Sequence, residues 1–439
     1  MTSIMDESDL FYEEREAILK LQTSDVESST DDELTVSANK RSPYPSPDSV
    51  PVWKAVVNIV NFIEGLGFLA LPYAVRKGGI VVIVAFFIIP VCLWYTGKVL
   101  IECLYDTDEK QRRVRVRSTF KELGEILLPK YGGYLITAIV QMDLYVAPVS
   151  YLILCGSLMS HALPSVPLTV TAWTCIAGVV VLPTTFLKSM SEIAWLSAAS
   201  IVALTSVLIS ILWYGGEHMD EWKLDTVLFW DSEGVSIAVP ILIYGYGAIP
   251  ILPSVEDSMR EKQKFTWALA LSYVITMLIK ITFSLFAFLS FGSKTDQAIL
   301  NDLPTGPFRM SISFIFVIFC ILSYALPLHP VFDLLQTTKM ADIFLSRMPI
   351  LGFFLIRVIV VLSTILVGIL VPKFALVISF TGSIFTSFFT FIFPCAVHLK
   401  LKIRKLKTHE ICFDLVLILS GTVALIFGGI FSGKALVMG

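Results

Sequence analysis

The sequence is poor in charge. Only 16% of its 439 residues are Asp, Glu, Lys or Arg, against about 25% in ordinary globular chains. The formal net charge is −3, so no basic excess points to nucleic acid. Seven cysteines, at 92, 103, 155, 175, 320, 395 and 412, show no paired spacing and read as small apolar packing residues. With five scattered histidines and no CxxC or HExxH pattern, neither a metal site nor a resident cofactor is expected. A nucleophile–base constellation is also lacking, which excludes an intramembrane enzyme at this level. The N-terminus is polar and acidic, and a cleavable signal peptide is not expected.

Apolar length is what the chain has in abundance. Hydrophobic residues make up 55% of it, and runs of about 20, the length that crosses a bilayer core, recur throughout. The expected class is an all-α integral membrane protein. Eleven spans are predicted, at 54–75, 79–104, 133–159, 168–186, 193–214, 236–256, 266–290, 309–334, 352–371, 374–398 and 412–432. Trp53, Trp94, Trp213 and Trp267 fall near span ends, as interfacial anchors do.

Residues 1–50 are different: acidic, rich in Ser and Thr, and unable to bury a core. They read as a disordered cytosolic tail preceding a transmembrane domain over 51–439. Within "YEEREAILKL", Glu14, Ile18 and Leu19 match the acidic dileucine pattern that cytosolic sorting adaptors recognise; an incidental amphipathic turn is the alternative. With the N-terminus placed inside, 23 Lys and Arg fall on the cytosolic side and seven opposite, while Lys98, Lys280 and Arg357 lie within spans. This asymmetry predicts a cytosolic N-terminus and, with eleven spans, a lumenal C-terminus. "KQRRVRVR" and "KLKIRKLK" carry most of the bias; lipid head-group binding is the lesser reading.

Two spans are interrupted. The first contains "NFIEGLGFLALPYAV" (Asn61, Glu64, Gly65, Leu66, Gly67) and the sixth "LIYGYGAIPILPSVEDS" (Tyr244, Gly245, Tyr246, Gly247, Ala248). Each opens a five-span half of nearly equal length, 53–213 and 236–398, with span 11 left over as an extra helix. Two such breaks in register point to an inverted-repeat transporter, because five is odd and the second half enters from the other side. Unwound backbone in hydrocarbon leaves peptide groups unpaired at several kcal/mol each unless protein, water or ligand satisfies them. Half-helix starts attract carboxylate and half-helix ends attract ammonium, so a zwitterionic amino acid fits such a site.

Asp143, in "QMDLYVAPVSY", lies near the middle of span 3. A carboxylate there costs at least ~2.5 kcal/mol on insertion scales, which favours a role in proton coupling; a structural hydrogen bond is the alternative. Glu64 is expected to touch a substrate ammonium or to exchange protons, paired with Asp143. Lys280 and Arg357 are expected in structural ion pairs, and His329 is read as structural. Tyr145, Tyr151, Tyr244 and Tyr246 are candidates for pocket walls, against the packing role more usual for aromatics in a bundle.

"WKAVVNIVNFIEGLGFLALPYAVRKGGI" resembles the first-helix signature of the amino acid/auxin permease family. "LPTTFLKSMSE", "ILPSVEDSM", "LSYALPLHPVF" and "VPKFALVISFTGSIFTSFFTFIFPCAVHLKLK" resemble its vesicular inhibitory amino acid transporter branch. The similarity covers all eleven spans. It implies a LeuT-type fold, coupling to protons rather than sodium, and amino-acid substrates. For the branch it implies exchange of GABA or glycine for vesicular protons at a synaptic-vesicle type of membrane, with a chloride contribution as an option. Two departures bear on the substrate: "YGYGAIP" stands where the branch tends to carry small hydroxyl residues and a Gln, and Glu64 where it tends to carry Gln. Proton symport at the plasma membrane or lysosome is the second reading, and an amino-acid-sensing receptor the third. The spans are too apolar for the continuous polar pore of a channel.

Overall fold

Helices follow the apolar runs, and the interruptions follow glycine and proline. The computed structural model describes residues 49–107, 112–186, 190–222, 227–336 and 349–438. The proposed sorting residues Glu14, Ile18 and Leu19 lie outside this set. The helices are α1 (Val52–Ile63), α2 (Leu71–Leu104), α3 (Phe120–Leu127), α4 (Gly132–Ala162), α5 (Val170–Val181), α6 (Met190–Glu217), α7 (Ser232–Tyr246) and α8 (Leu252–Ser258). They continue with α9 (Phe265–Phe291), α10 (Pro307–Ser323), α11 (His329–Gln336), α12 (Pro349–Leu370), α13 (Phe374–Thr381), α14 (Phe393–Lys402), α15 (Thr408–Val423) and α16 (Gly429–Met438).

Among the described residues, eight helical segments are long and apolar enough to cross a bilayer. Three shorter apolar helices accompany them, at Val52–Ile63, Val170–Phe186 and Ile201–Glu217. The segment Leu66–Leu104 is not one rod. Gly79 has φ 55 and ψ −136 inside it, a conformation that L side chains rarely adopt. A Cβ there would also lie 1.9 Å from the Leu228 carbonyl oxygen, which accepts from the Ile80 amide at 3.0 Å.

The surface is inverted relative to a water-soluble protein. Val84, Phe87, Ile88 and Val91 on α2, and Leu415, Val416 and Leu419 on α15, are all exposed. Apolar exposure on this scale suits hydrocarbon rather than water. The segment Phe374–Lys402 is the most enclosed, with 72% of its apolar window buried, and Thr408–Met438 the least, with 22%. The former is therefore central and the latter peripheral. Asp414 ties the peripheral helix in: its carboxylate holds His398 Nδ1 at 2.7 Å and the Tyr95 hydroxyl at 2.9 Å.

Among the described residues, the helices are joined by a little β structure. In the loop after α2, β1 (Tyr105–Thr107) and β2 (Arg113–Arg115) pair antiparallel, with Tyr105 opposite Arg115. The sequence "RRVRVR" alternates with period two, which suits a strand. Arg115 reaches Glu256 at 3.1 Å, Asp257 at 2.7 Å and the Pro253 carbonyl at 3.3 Å. Tyr105 donates its hydroxyl hydrogen to Glu256. Val50 pairs with Met259 just beyond α8, its amide donating to the Ser258 carbonyl at 2.9 Å. The short helix α8 is thus clasped from two sides.

Candidate functional site

Both interrupted helices come apart where the sequence places the breaks. α1 ends at Ile63; Glu64 (φ −77, ψ 56) and Gly65 (φ −100, ψ −158) leave the helix, and a 3-10 turn at Leu66–Ala70 leads into α2. α7 ends at Tyr246; Gly247 (φ −62, ψ 118) and Ala248 (φ −130, ψ −4) leave it, and Ile249–Ile251 leads into α8. None of these residues has positive φ. The glycines serve here by their small size instead. A Cβ on Gly67 would lie 3.0 Å from Tyr244 Cδ1 and 3.2 Å from Gly245 Cα, so the turn that follows the first break packs on the last turn of α7, just before the second. A Cβ on Gly247 would lie 3.0 Å from Thr386 Cγ2, which brings a third element to the same place.

Each break exposes backbone of defined polarity. The amides that open the turn at Leu66 precede any helical acceptor, and the carbonyls that close α1 follow the last helical donor. One of those carbonyls is taken. Lys280, on α9 and fully buried, donates its ammonium to the Ile63 carbonyl at 3.2 Å and to Glu64 Oε2 at 3.1 Å. The same ammonium lies 5.3 Å from the Phe68 ring centre and 5.7 Å from that of Tyr246, within the range of cation–π attraction. Phe68 in turn stacks on Phe283 of α9 at 3.9 Å.

Among the described residues, several polar atoms are enclosed without a hydrogen-bond partner: Glu64 Oε1 and the Tyr246 hydroxyl around Lys280, Asp143 Oδ1, the Thr386 hydroxyl beside Gly247 and, one turn further along that element, the Thr390 hydroxyl. Buried polar atoms are nearly always paired, so the exceptions at Glu64 and Tyr246 mark a place for water or ligand. Asn61, Glu64, Gly65, Asp143, Tyr145, Tyr244 and Gly247 are half-buried, whereas Leu66, Gly67, Gly245, Tyr246 and Ala248 are buried. Asn61 lies in the last turn of α1, three residues before Glu64.

The expected side-chain partners separate into groups. Glu64 meets Lys280, an ion pair consistent with the expectation for that lysine. Asp143 lies in electrostatic range of Tyr244. No contact joins Glu64 to Asp143 among the described residues. Tyr145 donates to Ser363 Oγ on α12 at 2.8 Å and so links two helices. Tyr151 packs edge-on against Phe319, and Tyr246 against Phe86. Arg357 donates to the Thr185 carbonyl at 2.7 Å and lies 3.5 Å from the Phe353 ring centre. His329 makes an edge contact with Phe332, a packing role.

Sequence reasoning missed Thr386 and Thr390. They lie on the π-helical turns Gly382–Thr386 and Phe388–Ile392, a distortion frequent at functional sites. The signal was present: Ser383, Thr386 and Thr390 repeat at helical spacing, among further hydroxyl residues at 379, 381 and 387.

A bundle of apolar helices with two apposed breaks around enclosed polar atoms is the architecture of a membrane transporter. A family model described as "Transmembrane amino acid transporter protein" matches residues 49–433, and the chain belongs to that family. The vesicular inhibitory amino acid transporter of Xenopus tropicalis is 29% identical over 411 residues, spanning 90% of this chain and 79% of the relative. The vesicular GABA transporter of Caenorhabditis elegans is 27% identical over 403 residues, spanning 89% and 80%. Among solved structures, the inward-facing conformation of Mhp1 aligns over 91% of this chain and 94% of that one, at a TM-score of 0.49 and 14% identity.

Proposed function

We propose that this amino acid transporter is coupled to protons and works by alternating access on a LeuT-type 5+5 inverted repeat of eleven crossings. The observation that carries the reading is the contact of Gly67 with Gly245, which brings both helix breaks to one place. As a single rod, Leu66–Leu104 would be about 58 Å long, nearly twice the ~30 Å hydrocarbon core. The turn at Gly79 divides it between crossings 1 and 2, and the remaining helices then complete eleven. The amides opening the Leu66 turn would take the substrate carboxylate, with Asn61 and Tyr244 beside it. Lys280 places a tethered cation at the carbonyl end of α1, where a sodium ion would meet like charge; this supports coupling to protons. Asp143, with an enclosed unpartnered oxygen in the same region, is the proposed proton carrier.

The preferred mode is vesicular exchange of the GABA or glycine type, with the N-terminus cytosolic and the C-terminus lumenal. The names of the relatives support that substrate class. The test is radiolabelled GABA and glycine uptake into proteoliposomes under a pH gradient of either sign, with wild type and Asp143→Asn. Uptake driven by an acidic interior and uncoupled in Asp143→Asn is expected. Uptake indifferent to the gradient would remove proton coupling, and unchanged coupling in the variant would remove Asp143 from the role.

A further inference from the structure

Away from the helix breaks, a cavity of about 410 Å³ lies between the β1–β2 hairpin and the end of α14. Arg113, Arg117, Lys402 and Lys405 line it, against the carboxylates of Glu102 and Asp106, so its walls carry a net charge of +2. Among the described residues, two of these cations are held by backbone carbonyls rather than by carboxylates. The Arg117 guanidinium donates to the Cys103 carbonyl at 3.1 Å, and Lys402 Nζ to the Glu102 carbonyl at 2.9 Å; both cations are held by neutral acceptors. Glu102 is itself shared with Lys98 at 3.7 Å, outside the cavity. Arg113 is held over the Tyr105 ring, 4.2 Å from its centre, which fixes its planar fork at the rim.

We propose that this cavity binds a phosphate-bearing anion. Fixed guanidinium groups suit phosphate oxygens, which they bind bidentately, and the ammonium groups of Lys402 and Lys405 complete a cationic basket. Its walls sit where α2 and α14 leave the apolar region, the depth of lipid head groups. Basic pockets between helices on the cytoplasmic side take phosphorylated head groups. The assignment of this side as cytosolic rests on the topology proposed above; the binding itself does not. Tyr105 connects the cavity to the broken helix, since its ring underlies Arg113 while its hydroxyl reaches Glu256 of α8.

The test uses the full chain in phosphatidylcholine nanodiscs, where both faces are accessible. Unfolding midpoints are measured with phosphatidylinositol 4,5-bisphosphate in the disc, or with soluble inositol 1,4,5-trisphosphate or inorganic phosphate added. A ligand of the folded state raises the midpoint with concentration. Each basic residue near an anionic surface contributes ~1 kcal/mol, so Lys405→Gln should weaken binding about fivefold. Lys405 is solvent-exposed, and the ligand-free midpoint of the variant should match wild type. Lys130→Gln, outside the cavity, should bind as wild type does. Selective weakening by Lys405→Gln in the lipid arm alone identifies a membrane-borne head group, and in the soluble arms as well, a free phosphate compound. Either result upholds the proposal. No midpoint rise with any probe, or equal weakening by Lys130→Gln, overturns it. Failure here would leave GABA and glycine uptake intact, which separates it from failure of the transport reading.

Discussion

Replacing Lys280 by Met should expose how far the first helix break depends on one ammonium group. The side chain is fully buried and bonds Glu64 Oε2 at 3.1 Å and the Ile63 carbonyl at 3.2 Å. Methionine keeps the length and apolar stem but leaves the Glu64 carboxylate without its cation. Removing one member of a buried ion pair costs about 3–5 kcal/mol, chiefly because the other charge is stranded. The lost attraction to the Phe68 and Tyr246 rings adds about 1 kcal/mol. Glu64→Gln alone strands the lysine and should cost a similar amount. In the double variant neither charge remains, so its loss should fall short of the summed singles by 3 kcal/mol or more, above the ~0.5 kcal/mol within which independent sites add. Equilibrium unfolding in mixed micelles measures all four proteins, and uptake assays report whether the break still binds substrate. Additive losses would mean that the two groups do not depend on each other, and the tethered-cation account of this break would be wrong.

Three further outcomes follow from other contacts. Gly67→Ala places a Cβ 3.0 Å from Tyr244 and 3.2 Å from Gly245 Cα. Overpacking costs about 1–3 kcal/mol, so substrate affinity should fall roughly fivefold or more in uptake assays; unaltered affinity would separate the breaks from the binding site. Arg115→Ala removes the cation facing Glu256, which is 1% exposed, and should cost about 3 kcal/mol. Glu256→Gln in the same background should recover part of that loss in the unfolding midpoint. In the loop between α9 and α10, burial pushes the Asp302 carboxyl up to about 7, above its unfolded value near 3.9. The folded chain then holds the extra proton between those values, so this contribution to stability is fully present below pH ~4 and is lost as pH rises toward 7. Asp302→Asn should flatten that slope in midpoints measured from pH 4 to 8.

Much of the site could be read from residue order. "EGLG" and "YGYGAIP" located both breaks to within a residue or two, because glycine and proline act on the backbone locally. The charge rarity that marked Asp143, Lys280 and Arg357 was equally plain, since an ionisable group in hydrocarbon is conspicuous. Partnership was harder to read. Glu64 and Asp143 were expected as a pair, yet Glu64 meets Lys280 from a helix about 200 residues away in sequence. Thr386 and Thr390 were passed over because hydroxyls in an apolar span usually bond their own helix. Whether one is left over depends on local winding, here the π turns.

The sequence by itself determined the class: its apolar runs exceed what water tolerates, and each helix satisfies its own backbone within a single segment. It also determined where two of those helices cannot remain helical. Only the tertiary structure decided that the two interruptions lie side by side, Gly67 against Gly245 in the last turn of α7, and which cation answers Glu64. It also decided that a basic loop folds into a hairpin clasping α8. These are contacts between residues far apart in the chain, and no local propensity fixes which helix faces which.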